Sequence, residues 1–165
     1  MTGLLEGTTQ EKTIRDSGAF LDALAAQGLA GPVGIVGYCM GGARALNAAA
    51  SYPGRIVAAA SFHGGNLAGD AADSPHRKAA SLKARVYIGT AGTDRSFPPA
   101  QAARLAEALR AAEVDHVIEN YAGMAHGWCV PDHSAFDAAG AERHWKRLTT
   151  LFAETLGQGT PTVTT

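Results

Sequence analysis

The sequence predicts an α/β fold in which a parallel sheet of about four strands is flanked by helices. Apolar runs of strand length alternate with stretches of helical periodicity along the chain, and this alternation is typical of a parallel sheet. The 165 residues suffice for one domain with a sizeable core, and they contain no internal repeat and no low-complexity tract. We therefore predict a single domain over residues 1–157, followed by a flexible tail at 158–165.

The first predicted element is a helix. Residues 8–11 have the sequence Thr-Thr-Gln-Glu, which is the pattern of a capping box at a helix start. Ile14, Leu21 and Leu24 then recur at helical spacing, and Gly28 suits the end of the helix. No strand is predicted before this helix, so the sheet begins with the strand that follows it.

The remaining predicted elements alternate along the chain. Strands are predicted at Val33–Gly37, Ile56–Ser61, Ala84–Ile88 and Val114–Tyr121. Helices are predicted at Ala43–Ala50, Pro98–Ala112 and Ala138–Leu156, and an irregular polar segment at Asn66–His76. The last helix carries an apolar stripe that is best explained by core packing, formed by Ala141, Trp145, Leu148 and Phe152.

The most informative motif is Gly-Tyr-Cys-Met-Gly-Gly at residues 37–42, directly behind the first strand. A strand that ends on Gly-x-Cys-x-Gly and continues as a helix predicts a nucleophile elbow with a thiol as the nucleophile. Small residues two before and two after Cys39 let the strand and the helix pack closely, and the helix start favours a thiolate. Taken alone, the motif is also explained by a buried cysteine in a glycine-rich turn.

Two further residues follow in the chain order of a catalytic triad. Asp94 comes after the third predicted strand, and His126 comes after the fourth. Because the loops after parallel strands meet at one edge of a sheet, these side chains can converge with Cys39. His126 would take the thiol proton and later protonate the leaving group, while Asp94 would orient His126. Taken singly, Asp94 is better explained as a turn residue or helix cap before Pro98, and His126 is also explained as a loop histidine.

Residues 37–42, 89–94 and 125–128 together resemble the dienelactone hydrolase family of α/β-hydrolases, which carry a Cys-Asp-His triad. The resemblance extends from about Gly34 to about Leu156. It implies hydrolysis of a lactone or another activated small carboxylic ester through a thioester intermediate. In dienelactone-specific members an arginine four residues after the histidine helps to bind the substrate carboxylate. This chain departs from that pattern, because the position is Val130.

Compared with that family, the sequence predicts a truncated α/β-hydrolase-like sheet without the usual N-terminal strands. The N–H of Met40 is the expected first donor of the oxyanion hole, whereas the second donor normally comes from a loop in the part without a counterpart here. The strand Val33–Gly37 would also lack its usual neighbour. Because a bare apolar edge templates pairing with another chain, we expect a homo-oligomer across this edge. A helix at Thr9–Ala26 that covers the gap is the alternative.

Several other residues are candidates for the site. Tyr38, His63 and Trp128 are predicted to line the substrate pocket, although a core position explains Trp128 equally well. Cys129 is interpreted as a packing residue, with a bridge to Cys39 under oxidation as the alternative. Surface or loop positions are expected for the histidines that show no metal-binding spacing, which are His76, His116, His133 and His144.

Composition excludes several classes of protein. The formal net charge is −1 and there is no basic run, so nucleic-acid binding and anionic-membrane binding have no electrostatic basis. No apolar stretch reaches membrane-spanning length, and the start lacks the charged and apolar regions of a signal peptide. Two cysteines without a Cys-x-x-Cys pair suit a reducing cytoplasm. We expect a cytoplasmic protein that acts on a small molecule, with no cofactor and no metal.

Three hypotheses of function follow. The first is a hydrolase of small carboxylic esters or lactones that uses Cys39 as its nucleophile. The second is a catalytically weak or inactive truncated hydrolase-fold protein, which keeps the triad residues without a complete oxyanion hole. The third is a different cysteine-elbow enzyme, similar to glutamine amidotransferases. Those enzymes usually carry His-x-Glu late in the chain, and Trp128 stands two residues after His126 here, which argues against the third hypothesis.

Overall fold

Residues 7–157 are the part of the chain that the computed structural model describes, and within them four parallel strands are flanked by helices. The strands are β1 (Val33–Tyr38), β2 (Ile56–Phe62), β3 (Arg85–Thr93) and β4 (His116–Ala125). The α-helices are α1 (Gln10–Ala26), α2 (Met40–Ser51), α3 (Pro99–Ala111) and α4 (Ala138–Leu156), and a 3₁₀ helix spans Pro75–Ser81. The tail predicted at 158–165 lies outside the described residues.

The strands lie in chain order, β1-β2-β3-β4, and every neighbouring pair is parallel. Val36 of β1 lies beside Ala60 of β2, Ala60 lies beside Tyr87 of β3, and Tyr87 lies beside Val117 of β4. The prediction of a parallel sheet of four strands is therefore confirmed. Because all strands run in one direction, their carboxyl ends meet at the same edge of the sheet.

Two strands extend further toward that edge than the sequence predicts. β3 continues past Ile88 to Thr93, and β4 continues past Tyr121 to Ala125, because the two strands remain paired there. These extensions consist largely of small and polar residues, which are typical of loops. Pairing with a neighbouring strand overrides that local preference. As a result, Asp94 directly follows the end of β3 and His126 directly follows the end of β4.

Side chains cap two of the helices at their first turns. Thr9 accepts a hydrogen bond from the N–H of Lys12 through its Oγ1 atom at 3.2 Å, and Asp137 accepts one from the N–H of Gly140 at 2.7 Å. Such caps satisfy N–H groups that have no partner inside the helix. Between residues 7 and 157, no helix has both the length and the apolar character needed to cross a membrane.

The core has two parts, one on each face of the sheet. On one face, the largest buried apolar side chains come from α1, α2, α3 and the sheet: Leu21, Leu46, Ile56, Val86, Ile88, Leu105 and Leu109. On the other face, α4 packs over a cluster that contains Phe62, Tyr87, Tyr121, Trp128, Leu148 and Leu151. Successive side chains of a strand point to opposite faces, which separates Tyr87 from Ile88. Complete burial of a side chain such as Leu105 stabilises the fold by about 1.5–3 kcal/mol.

The apolar stripe predicted for α4 is only partly correct. Ala141 and Leu148 are buried as expected, but Trp145 is 52% exposed. The buried face passes instead through His144, which is 1% exposed, and continues to Leu151. The helix is therefore rotated relative to the prediction: His144, and not the more apolar Trp145, packs against the sheet at Phe62.

β1 lies at the edge of the sheet, and within residues 7–157 no strand pairs with its outer side. α1 packs beside it through Leu21, which shares a core cluster with Val33 and Ile35. A groove of about 600 Å³ remains between α1 and β1, and Phe20 on its rim is 66% exposed. The helix therefore covers part of one face of β1 and leaves the hydrogen-bonding edge open.

Candidate active site

Cys39 occupies a sharp turn between β1 and α2, with φ +52° and ψ −124°. A positive φ is strained for a residue with a side chain and is found at functional turns. Tight packing maintains the turn: a Cβ atom at Gly37 would lie 2.0 Å from the carbonyl oxygen of Gly41, and one at Gly42 would lie 2.2 Å from Ser61 Oγ. A Cβ at Gly41 itself would meet nothing. The requirement for glycine therefore falls on positions 37 and 42 rather than symmetrically around the cysteine.

The Cys39 side chain is exposed at the N-terminus of α2, while its backbone is anchored. The Cys39 N–H donates to the carbonyl oxygen of Phe62 at 3.2 Å and to Nδ1 of His63 at 3.1 Å. Met40 is the first residue of α2, and the N–H groups of a first helical turn have no partner inside the helix. The geometry is that of an exposed thiol at the positive end of a helix dipole.

Asp94 and His126 form a hydrogen-bonded pair. Asp94 Oδ2 accepts from His126 Nδ1 at 2.7 Å, and Asp94 Oδ1 accepts from the N–H of Ser96 at 2.8 Å and from its hydroxyl at 2.6 Å. Burial alone would raise the pKa of Asp94, but the hydrogen bonds from Ser96 and His126 lower it below its usual value. The carboxylate is therefore ionised and can only accept, so Nδ1 carries the ring proton and Nε2 is left as the proton acceptor.

Cys39, Asp94 and His126 line one cavity of about 810 Å³. The cavity lies at the carboxyl edge of the sheet, where β1, β3 and β4 end. The side chain of Asp94 is 4% exposed and that of His126 is 33% exposed, so the carboxylate is shielded and the imidazole remains open. The structure thus brings together the three residues that were predicted as a triad. Other residues that line the cavity include Gln10, Met40, Asn66, Arg95 and His133.

The structure places the three residues predicted to line the substrate pocket close to the triad residues or to the packing beside them. Tyr38, His63 and Trp128 are absent from the cavity surface among the described residues. Trp128 is fully buried and stacks on Tyr121 with ring centroids 4.5 Å apart. The Tyr38 hydroxyl lies 2.7 Å from Nε2 of His144, and burial raises the pKa of Tyr38 to about 12. Tyr38 and Trp128 pack into the cluster under α4, and His63 contacts both Cys39 and His126. That these three residues line the substrate pocket stays a prediction.

Two features near the site were not predicted, although the sequence contains a signal for each: the contact of Ser96 with Asp94 and the burial of His144. Ser96 stands two residues after Asp94, and this spacing suits an Asx turn that ties the carboxylate to the backbone. His144 was expected at the surface but is buried, and its spacing from Ala141 and Leu148 is that of one helix face. His133 was expected in a loop, and it also lines the cavity.

The second cysteine does not join this constellation. Cys129 is buried, and burial raises the pKa of its thiol to about 11. Both cysteines are free, so the structure contains no bridge between Cys39 and Cys129. Among the described residues, no three His, Cys, Asp or Glu side chains are grouped as a metal site requires.

Comparisons with known proteins place this architecture in a family. The model of the dienelactone hydrolase family matches residues 1–156. A protein of Synechocystis sp., provisionally named a carboxymethylenebutenolidase, is 29% identical over 123 residues, which are 73% of this chain and 49% of that protein. The chain thus spans about half the length of this curated relative.

Solved structures share the fold. A provisionally named dienelactone hydrolase from Klebsiella pneumoniae superposes with a TM-score of 0.82 at 24% identity, over 90% of this chain and 63% of that one. A dienelactone hydrolase-like promiscuous phosphotriesterase from metagenomic libraries superposes with a TM-score of 0.75 at 24% identity, over 94% of this chain and 65% of that one. These likenesses confirm the α/β-hydrolase fold. On the extent of the family match, this chain belongs to the dienelactone hydrolase family.

Proposed function

We propose that this protein hydrolyses small carboxylic esters or lactones with Cys39 as the nucleophile. One observation carries the proposal: the 2.7 Å pair of Asp94 and His126 opens into the same cavity as the exposed, strained elbow at Cys39. A nucleophile, a base and a residue that orients the base are the parts that acyl transfer through a covalent intermediate requires. The family match favours a hydrolase, and nothing in the comparisons favours the inactive alternative.

The reaction proceeds in two halves. The Cys39 sulfur attacks the ester carbonyl carbon while Nε2 of His126 takes the thiol proton. The tetrahedral intermediate collapses, the carbon–oxygen bond to the leaving group breaks, and His126 returns the proton to the departing alkoxide. A thioester on Cys39 results. Water then attacks the thioester as His126 takes its proton, the acid is released, and the proton returns to the Cys39 sulfur. Asp94 stabilises the imidazolium that forms in each half.

The substrate class follows from the cavity and the relatives. The cavity of about 810 Å³ lies within the range of small-molecule sites. A carboxymethylenebutenolide is a lactone, so the name carried by the Synechocystis relative agrees with the ester or lactone class. The position four residues after His126 is an arginine in dienelactone-specific members. Here it is Val130, which is 38% exposed and carries no charge. We therefore propose the class and not dienelactone itself.

The proposed class is tested by hydrolysis of three probes: an activated aryl ester, a simple lactone and the anilide of the same acid. The ester and the lactone are expected to be cleaved and the anilide to resist, because an amide nitrogen is a poorer leaving group. Cleavage of none of them above the buffer rate, with a thiol that still reacts with iodoacetamide, would instead support the catalytically inactive alternative.

We propose that two groups stabilise the oxyanion, the N–H of Met40 and the side-chain amide of Gln10. Gln10 lines the same cavity as Cys39 and Met40. Its Nε2 amide group is the proposed donor, because the amide oxygen can only accept. Its place is fixed relative to α2, because Tyr52 donates from its hydroxyl to the carbonyl oxygen of Ile14 in α1 at 2.8 Å. Glutamine amides serve as oxyanion donors in hydrolases.

Replacement of Gln10 by alanine is expected to lower kcat by about 10²-fold, the typical cost of one lost oxyanion donor. KM should change little, because the interaction strengthens only when charge develops on the oxygen. Steady-state kinetics with the aryl ester measure both constants. Glu11→Ala, at the exposed neighbouring position, is the control and should keep the kcat of the wild type. An unchanged kcat in Gln10→Ala would remove Gln10 from the oxyanion hole.

We also propose that a second copy of the chain pairs with the open edge of β1. The edge is unpaired within residues 7–157, and the exposed Phe20 flanks the groove beside it. Sedimentation equilibrium is expected to show a dimer, and Phe20→Lys is expected to weaken it, because a charge on the rim must be desolvated at the interface. Val117→Lys, at a 43% exposed position on β4, is the control. A monomer at all protein concentrations would contradict this proposal.

A further inference from the structure

His63 is a buried histidine that the proposed reaction does not use. It is the first residue after β2 and is 2% exposed. Its backbone has φ +40°, in the left-handed region, and its N–H donates to the carbonyl oxygen of Gly89 at 2.9 Å. A histidine held in a strained conformation inside the fold needs an explanation, because a strained backbone persists only where the surrounding structure enforces it.

One ring nitrogen of His63 has a defined task. Nδ1 lies 3.1 Å from the backbone nitrogen of Cys39. A backbone N–H can only donate, so Nδ1 accepts and carries no proton. In the neutral ring the proton is therefore on Nε2, which is buried and has no partner among the described residues. A second proton would place two donors against each other at the elbow.

The charged and titratable groups around His63 also disfavour a second proton. The ring of His126 meets that of His63 edge to face, with centroids 4.8 Å apart, and Trp128 meets it at 5.3 Å. Burial first, and then the neighbouring charge of His126, lower the pKa of His63 to about 4, with a smaller contribution in the same direction from His133 and an opposing one from Asp94. His63 is therefore neutral at neutral pH.

We propose that His63 is a positioning residue for hydrolysis by Cys39: its neutral ring accepts a hydrogen bond from the Cys39 N–H and so holds the main chain at the elbow. The ring adds no second positive charge beside His126 when His126 takes the proton. The proposal rests on the proposed function, because it assumes that Cys39 attacks the substrate. It assigns to the contact between Nδ1 and the Cys39 N–H the task of placing the sulfur, for which displacements of an ångström lower rates by about 10²-fold.

Two substitutions separate this role from simple packing. In His63→Asn, the side-chain Oδ1 atom takes the place of Nδ1 and can accept from the Cys39 N–H, and asparagine tolerates a positive φ. In His63→Leu, a side chain of similar reach lacks any acceptor. We expect His63→Leu to lower kcat by at least about 10-fold with little change in KM, and His63→Asn to stay within a few-fold of the wild type. If the leucine variant does not fold, His63→Gln, whose amide extends one bond too far for the Nδ1 position, replaces it.

A pH measurement supplies a second readout. The folded state resists protonation of His63 down to about pH 4, whereas the unfolded chain accepts a proton near the ordinary value of 6.5. The unfolded state therefore binds more protons in this window, and the contribution to stability falls as the pH drops from about 6.5 to 4. We expect the melting temperature of the wild type to decline more steeply across this window than that of His63→Asn, which has no titrating ring.

The outcomes are distinguishable. Normal kcat in His63→Leu, while activity still depends on Cys39, would overturn the positioning role and leave the proposed function intact. Equal impairment in the asparagine and leucine variants would also overturn it, because an acceptor at the Nδ1 position would then not matter. Activity that persists unchanged in Cys39→Ala would overturn both proposals together.

Discussion

Replacement of Cys39 by alanine is expected to lower kcat for an aryl ester by at least about 10⁴-fold. The reason is that Cys39 is the exposed thiol at the elbow, whereas the thiol of Cys129 is buried and its pKa is raised. The fold should survive, because the Cys39 side chain is exposed and the elbow depends on Gly37 and Gly42 for its packing. Initial rates and circular dichroism of both proteins measure the two effects.

The matched control is Cys129→Ala, which removes the other thiol. It should keep kcat within a few-fold, although the loss of a buried side chain is expected to lower the melting temperature. If Cys39→Ala keeps the rate of the wild type, the thiol is not the nucleophile and the mechanism proposed here is wrong. If only Cys129→Ala loses activity, the nucleophile has been assigned to the wrong cysteine.

Asp94→Asn is expected to lower kcat by about 10³–10⁴-fold without unfolding the protein. Asparagine has nearly the same shape, but it presents one amide group where the carboxylate presents two acceptors. Because Ser96 donates to one oxygen and His126 to the other, one of these hydrogen bonds must be lost or reversed. If the NH₂ group faces His126, Nδ1 becomes the acceptor and the proton moves to Nε2, which can then no longer take a proton from Cys39.

Asp70→Asn serves as the control for this variant. Asp70 forms an ion pair with Arg104 at 3.1 Å, but its side chain is 97% exposed, so its charge has little influence on the cavity. Its kcat should match that of the wild type. A near-normal kcat in Asp94→Asn, together with an intact fold, would mean that His126 does not depend on the carboxylate for its orientation.

Chain order and turn chemistry were enough to predict where the three triad residues lie in the fold. The Gly-x-Cys-x-Gly motif indicates a turn with the thiol at its apex, and Asp94 and His126 follow later strands. In a parallel sheet this order is enough to bring the three positions to one edge. The structure agrees, with all three residues on one cavity. The sheet itself was predictable because its apolar segments alternate with helical ones.

The arrangement beneath the cavity could not be predicted in the same way. Tyr38 and Trp128 belong to or adjoin the motifs in sequence, yet both pack into the cluster on the α4 side of the sheet. Which face a residue takes just after a strand depends on where that strand ends, and β3 and β4 both run further than their apolar segments. A shift of one residue reverses the face. The exposed Trp145 and the buried His144 on α4 have a different cause: packing, and not hydropathy alone, sets the rotation of the helix.

The most direct test of the central claim is to trap the acyl group on Cys39. The protein is mixed with an activated aryl ester, quenched with acid during turnover and measured by intact and peptide mass spectrometry. We predict an added acyl mass on the peptide that contains Cys39, released by neutral hydroxylamine as expected of a thioester, and absent from Cys39→Ala. The adduct should accumulate in Asp94→Asn if that variant slows the attack of water more than the acylation. Turnover without any acyl adduct on Cys39, or with the adduct on another residue, would contradict the thiol mechanism.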